Sequence, residues 1–442
     1  MCKKTQFTVG PSLAGRLAAT GLALCVWGSA GAGNITTISV EEVRNELSVT
    51  NASGQGAMLI PFDRSAVVPK QLLVGAPTTT NGLSFVGRVV RQLSNPDGSF
   101  TAAATLVTPP GGDVTQGYFG ISGDRFGDRH MIGQVNPAAG TVYQALAVQQ
   151  TLTPTLTSPG TQEGVVSVAT YGDFAAVGVP FDDGDRGRLH LWRFNGTNWV
   201  AGQILSSGAN AEVGGRFAAA VDMSADMLLV GAPGENVRGR VYVYRLNDVT
   251  QQWESSGQLP VPSIYDSAVA AKFGFSLVID RTRGNKALVG APGAKWTNRS
   301  QVTGGVSSFD YDPDSASGWQ AGSLYLPDDP QNAHQFGFDV DLRDGDALMT
   351  DIAYMQGGGL PSTLGAVFGF DLDVPLNAPV VRVYRYARPL PAPNNLFGYT
   401  ARYFGENVLV GAPVNLNASG GATNRGVVYE FPGPAVFRDG FE

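Results

Sequence analysis

Leu228-Leu229-Val230-Gly231-Ala232-Pro233 is the stretch on which the reading of this chain turns, because it recurs. Leu72-Leu73-Val74-Gly75-Ala76-Pro77, Ala287-Leu288-Val289-Gly290-Ala291-Pro292 and Val408-Leu409-Val410-Gly411-Ala412-Pro413 are near-copies, and Ala175-Ala176-Val177-Gly178-Val179-Pro180 is close to them. Upstream stand Phe217-Ala218, Phe273-Gly274 and Phe397-Gly398, with fourteen residues from Phe217 to Gly231 and again from Phe397 to Gly411. The same spacing finds two degenerate copies, Phe119-Gly120 leading to Gly133 and Phe336-Gly337 leading to Thr350. Anchors therefore fall at 75, 133, 178, 231, 290, 350 and 411, which makes seven units of 45 to 61 residues.

Each unit carries a second signature, a Gly followed by alternating apolar residues, as in Gly187-Arg188-Leu189-His190-Leu191-Trp192 and Gly239-Arg240-Val241-Tyr242-Val243-Tyr244. In three units a Trp follows, at Trp199, Trp253 and Trp319. The unit reads as four strands: A opening at Phe-Gly, B at the Leu-Leu-Val run, C at the Gly-led alternation and D near the Trp. One such sheet cannot bury both faces alone, so neighbours must stack. Seven stacked radially give an all-β fold, a seven-bladed β-propeller of four-stranded antiparallel blades.

The Phe-Gly and Gly-Ala-Pro pairing, the repeat length and the count of seven resemble the FG-GAP repeat of the integrin alpha-chain N-terminal β-propeller, in its bacterial exported branch. The resemblance covers about residues 33 to 431, and units two and six depart from it with Ile132-Gly133-Gln134 and Met349-Thr350-Asp351. It implies a recognition or cell-adhesion module. The physics agrees: Gly allows backbones to approach where sheets converge, and Pro ends pairing beside a loop. Unit seven lacks room for a D strand, since only Pro432 to Glu442 follow its strand C. The alternating run Ile35-Thr36-Thr37-Ile38-Ser39-Val40 is expected to supply it, so that an N-terminal strand closes the ring.

Residues 1–32 read as a signal peptide: Lys3, Lys4 and Arg16 precede an apolar run from Leu17 to Trp27, and Ala30-Gly31-Ala32 suits cleavage. Eleven apolar residues are too few for a membrane span. The expected product is secreted or extracellular, with periplasm and cell surface as further destinations, in a bacterium. Cleavage would remove Cys2 and Cys25, leaving neither disulfide nor thiolate chemistry. It would also remove three cations and no anion, taking the net charge from −7 to −10. Nucleic acid and membrane insertion are therefore not expected, and the chain is read as a monomer. Residues 432–442 form a short C-terminal tail.

Catalytic motifs are missing. The three His, at 130, 190 and 334, show no metal-ligand spacing, and there is no Gly-x-Ser-x-Gly elbow. No cofactor is expected. The tight A–B turns leave no space for a calcium-ligating loop, and the remaining calcium candidate is the cluster Asp310, Asp312 and Asp314. Two functions stay open: a non-catalytic propeller that binds a protein or glycan, and an exported hydrolase or lyase with a carboxylate site at the channel. Alternating strands put the A–B and C–D turns on one rim and the B–C and D–A loops on the other. The B–C loops vary most in length, so the ligand-binding residues expected there are Lys295, Trp296, Arg299, Tyr354, Met355, Asn415 and Asn417.

Overall fold

The computed structural model describes residues 34–433 except 41–42, 44, 48–53, 63–70, 81–84, 95–99, 101–104, 114, 145–146, 158–165, 315–317, 327–333, 355–364, 375–379, 388–395, 417–421 and 424–425. The expected signal segment, Met355, Asn417 and the last nine residues lie outside the described residues. The chain is a seven-bladed β-propeller of four-stranded antiparallel blades with almost no helix. Blade 4 shows the plan: A is Ala220–Met223, B is Met227–Ala232, C is Arg240–Asn247 and D is Gln252–Gln258. Both degenerate units form complete blades, so losing the Gly-Ala-Pro core does not cost a sheet.

The repeat motif is a backbone contact between blades. A Cβ on Gly231 would lie 2.1 Å from the carbonyl oxygen of Gly274, and the same 2.1 Å separates Gly75 from Gly120, Gly290 from Gly337 and Gly411 from Gly56. The anchor glycine of one blade is thus pressed on the Phe-Gly glycine of the next, where no side chain fits. Those second glycines also hold positive φ, +87° at Gly120 and +88° at Gly274 and Gly337. The Phe of each pair is fully buried, and Phe119, Phe273 and Phe336 bridge in parallel to Gly87, Gly239 and Gly304 of the preceding blade. In blade 1 the pair is Gln55-Gly56, and Gln55 bridges to Gly426 of blade 7. Thr350, where the anchor is not glycine, uses its side chain differently: its Oγ1 accepts the Asp339 N–H at 2.9 Å.

The core is divided into seven apolar clusters among the described residues, each lying between two adjacent blades. Leu47, Leu59, Val74, Leu409 and Val428 join the last blade to the first. An N-terminal strand does close the ring, but it is not the expected one. Asn45–Leu47 pairs antiparallel with Val427–Pro432 as the fourth strand of blade 7. Asn34–Val40, which contains the expected run, instead lies parallel to Val380–Tyr386 as a fifth, outer strand of blade 6. Alternation made that run a good edge strand, and sequence alone does not say which of two neighbouring open edges it meets.

Candidate functional site

Strand A of every blade lines the central channel, and two cavities open from it. One, of about 590 Å³, opens among the A–B turns; the other, of about 700 Å³, opens among the D–A and B–C loops. They share a waist at Leu59, Val168, Val221, Leu277 and Arg402.

Strand A is an edge strand, and its outward N–H groups need acceptors. Carboxylates from the preceding blade supply them. Asp124 Oδ2 accepts from Thr170 N at 2.7 Å, Asp222 Oδ2 from Ile279 N at 2.8 Å and Asp341 Oδ2 from Tyr403 N at 3.0 Å. These three aspartates sit at one register, nine residues before the anchors Gly133, Gly231 and Thr350. Asp222 and Asp341 lie within strand A of their blades, Ala220–Met223 and Phe336–Arg343. Asp339 accepts from Ala401 N at 3.1 Å and from Arg402 Nη1 at 2.6 Å.

Arg281, on the A–B turn of blade 5, crosses the channel to blade 2. Its two terminal nitrogens donate to the two oxygens of Asp124 at 2.8 Å, one also donates to the Arg125 carbonyl at 2.9 Å, and the other donates to Asp222 Oδ1. Burial opposes the guanidinium charge, but Asp124 and Asp222 outweigh it and raise its pKa above the ordinary value. Burial pushes Asp222 up despite Arg281, and burial pushes Asp341 up despite Arg402. The layer is one of fixed charges paired across the ring.

The second mouth differs. Phe275, Phe338 and Tyr399 form an arc, with ring centroids 5.2 and 5.1 Å apart in turn. Each follows a Phe-Gly pair directly, a pattern that Phe273-Gly274-Phe275, Phe336-Gly337-Phe338 and Phe397-Gly398-Tyr399 carry in the open. The sequence reading did not use it. Arg216 and Lys272 stand exposed on the D–A loops of this mouth.

The described residues among those expected to bind ligand occupy the B–C loops, but the two aromatic ones are buried. Trp296 is 1% exposed; its Nε1 donates to Gly304 O at 3.1 Å, and its ring meets Tyr265 edge-on. It anchors the loop from inside. Tyr354 is 5% exposed, packs on Phe368 and accepts an Arg385 Nη1 hydrogen bond at 3.1 Å. Beside it, His334 Nδ1 meets Asp351 Oδ2 at 2.7 Å in full burial, a pair created by the Asp that replaces Ala in the degenerate core. Lys295 is paired with Asp266 at 3.1 Å, Arg299 is half-buried and Asn415 lies in a short strand, Asn415–Leu416.

The calcium candidate is engaged locally. Asp310 pairs with Lys286 at 2.8 Å, while Asp312 accepts from Asp314 N at 3.0 Å and from Gln320 Nε2 at 2.6 Å. Among the described residues no three His, Cys, Asp or Glu side chains gather at metal-binding distance. No helix among them is long and apolar enough to cross a membrane. Comparison with protein-family models and with curated proteins returns no match, so geometry carries the functional reading.

Proposed function

We propose that the chain is an exported, non-catalytic recognition propeller of the FG-GAP kind, which binds a protein or glycan ligand at the D–A and B–C face. The observation that carries this reading is the open mouth of about 700 Å³ on that face, walled by half-buried aromatic rings and rimmed by exposed cations. Its size falls within the roughly 300–1,000 Å³ of ordinary ligand sites. The paired glycines at the blade contacts support the family reading, because they give the motif a physical reason.

The channel does gather Asp124, Asp222, Asp341, Arg281, Arg402 and Tyr403, the convergence that a carboxylate hydrolase or lyase would use. Asp124, Asp222 and Asp341, however, each accept a neighbouring blade's backbone N–H, and Arg281 holds Asp124 and Asp222. A general acid or base needs a proton within reach of substrate, not one locked into the joint between blades. The test is a glycan and protein array probed with the purified protein, followed by mass spectrometry of each hit after prolonged incubation. Binding with no change in the ligand's mass is expected; a cleaved or eliminated product would overturn the non-catalytic reading.

A further inference from the structure

We infer that the D–A and B–C mouth of the channel takes a carboxylate carried on a six-membered ring, as in a uronic acid or an aryl acid. The inference rests on the binding reading above and specifies the chemistry of its ligand.

The two walls of the mouth differ in kind. Phe275, Phe338 and Tyr399, from blades 5 to 7, form the aromatic arc, while Ala57, Ile121 and Ala219 hold the equivalent places in blades 1, 2 and 4. Aromatic rings therefore face aliphatic side chains, two of them only methyl groups, across an open space, which suits a flat body with one apolar face. The rings are half-buried, and each keeps part of its surface open to a guest. Tyr399 adds a hydroxyl with no hydrogen bond to a described residue.

Charge supplies the second half of the argument. The charged residues lining the cavity are Arg216, Lys272, Arg402 and Asp339. Arg402 and Asp339 satisfy one another at 2.6 Å. Arg216 and Lys272 remain, both exposed and neither held in an ion pair among the described residues. Two free cations beside an aromatic wall, in a chain whose net charge is −7, favour an anion over a neutral or cationic guest. They hang from the residues just before Phe217 and Phe273, on adjacent blades, so one carboxylate can lie between them while its ring rests on Phe275 and Phe338.

Isothermal titration of the purified protein tests this with tetragalacturonate and with 4-hydroxybenzoate, each beside its uncharged methyl ester or amide. At least one acid should bind, and its uncharged counterpart should bind about tenfold more weakly or worse. Lys272→Glu and Arg216→Glu should each lower that affinity by about tenfold with an unchanged melting temperature, since both side chains are exposed. Which acid binds separates a glycan source from an aromatic one. The inference is overturned if neither acid binds at millimolar concentration, if the uncharged compounds bind equally well, or if both charge reversals leave affinity intact. If array ligands bind while these acids do not, the ring-carboxylate assignment fails and the recognition reading stands.

Discussion

Replacing Arg281 with Met removes a side chain that ties blade 5 to blades 2 and 4 through the channel. The variant loses the paired hydrogen bonds to Asp124, the contact with Asp222 and the bond to the Arg125 carbonyl. With Arg281 in place Asp124 and Asp222 are only 17% and 9% exposed. Breaking a buried ion pair by removing one partner costs about 3–5 kcal/mol, and water reaching a guanidinium that is 23% exposed places this case near the lower end, about 3 kcal/mol. The sign of the pH effect follows. Without the cation a carboxylate in this layer has a folded-state pKa well above its unfolded value, so the folded variant binds a proton that the unfolded chain lacks. Stability relative to the parent protein should then rise as pH falls from neutrality, by up to about 1.4 kcal/mol per unit across the interval between the two pKa values. Urea denaturation of both proteins between pH 7 and 5 measures this, and the difference cancels groups such as His130. Adding Asp222→Asn should recover much of the loss, because an amide oxygen still accepts the Ile279 N–H without the like charge. A loss under about 1 kcal/mol with no pH dependence would mean that Arg281 is solvated rather than bridging, and would refute the argument.

Gly231→Ala should destabilise by at least the roughly 1–3 kcal/mol of core overpacking, because the new Cβ meets the Gly274 backbone at 2.1 Å and cannot rotate away. Gly369→Ala, whose nearest neighbour is the Tyr386 ring at 3.4 Å, should stay within about 0.5 kcal/mol by thermal denaturation. Leu47→Ala should cost about 2–3 kcal/mol, since Leu47 is 8% exposed in the cluster joining blades 7 and 1, whereas deleting residues 34–40 should leave the ring closed. The reverse order of melting temperatures would mean that the outer strand is the true closure. His130 is buried against Tyr143, and burial, with Arg125 adding to it, lowers its pKa from 6.5 to about 4. Below pH 6.5 the unfolded chain gains a proton that the folded one refuses, so up to about 3 kcal/mol should be lost on acidification to pH 4, and His130→Phe should flatten that slope.

The blades were legible because the motif residues answer a local demand. Gly231 and Gly274 must both lack side chains for two backbones to touch, and a demand of that kind repeats wherever the geometry repeats. The closing strand was harder to place. Ile35 to Val40 alternates well, whereas Asn45-Glu46-Leu47 is short and polar, yet the second pairs with blade 7 and the first with blade 6. Trp296 was misjudged for a related reason. Its own loop is polar, but Ile264 and Tyr265 from a distant loop fold over it, with Thr297 N bonded to Ile264 O and a bridge from Tyr265 to Trp296. The channel layer was half legible. Asp at nine residues before the anchor marks units two, four and six, but Arg281 lies 157 residues from Asp124, and only the closed ring brings them together.

That division separates what holds the ring from what the ring presents. Closure and stacking fall on the anchor and Phe-Gly positions and on the seven clusters between blades, and these make the units alike. Along strand A the units differ: the inner register carries Asp in blades 2, 4 and 6 and Arg in blade 7, while the position after Phe-Gly carries rings only in blades 5, 6 and 7. The inner differences are tied to folding, because Asp124, Asp222 and Asp341 each satisfy a backbone N–H of the next blade. The outer differences have no such duty. Ala57 and Ala219 occupy the same repeat position as Phe275 and Phe338 without loss of a blade, so the aromatic arc is not a requirement of the propeller. A feature that the scaffold does not need, placed at an open mouth beside two unpaired cations, is best explained by what it meets from outside.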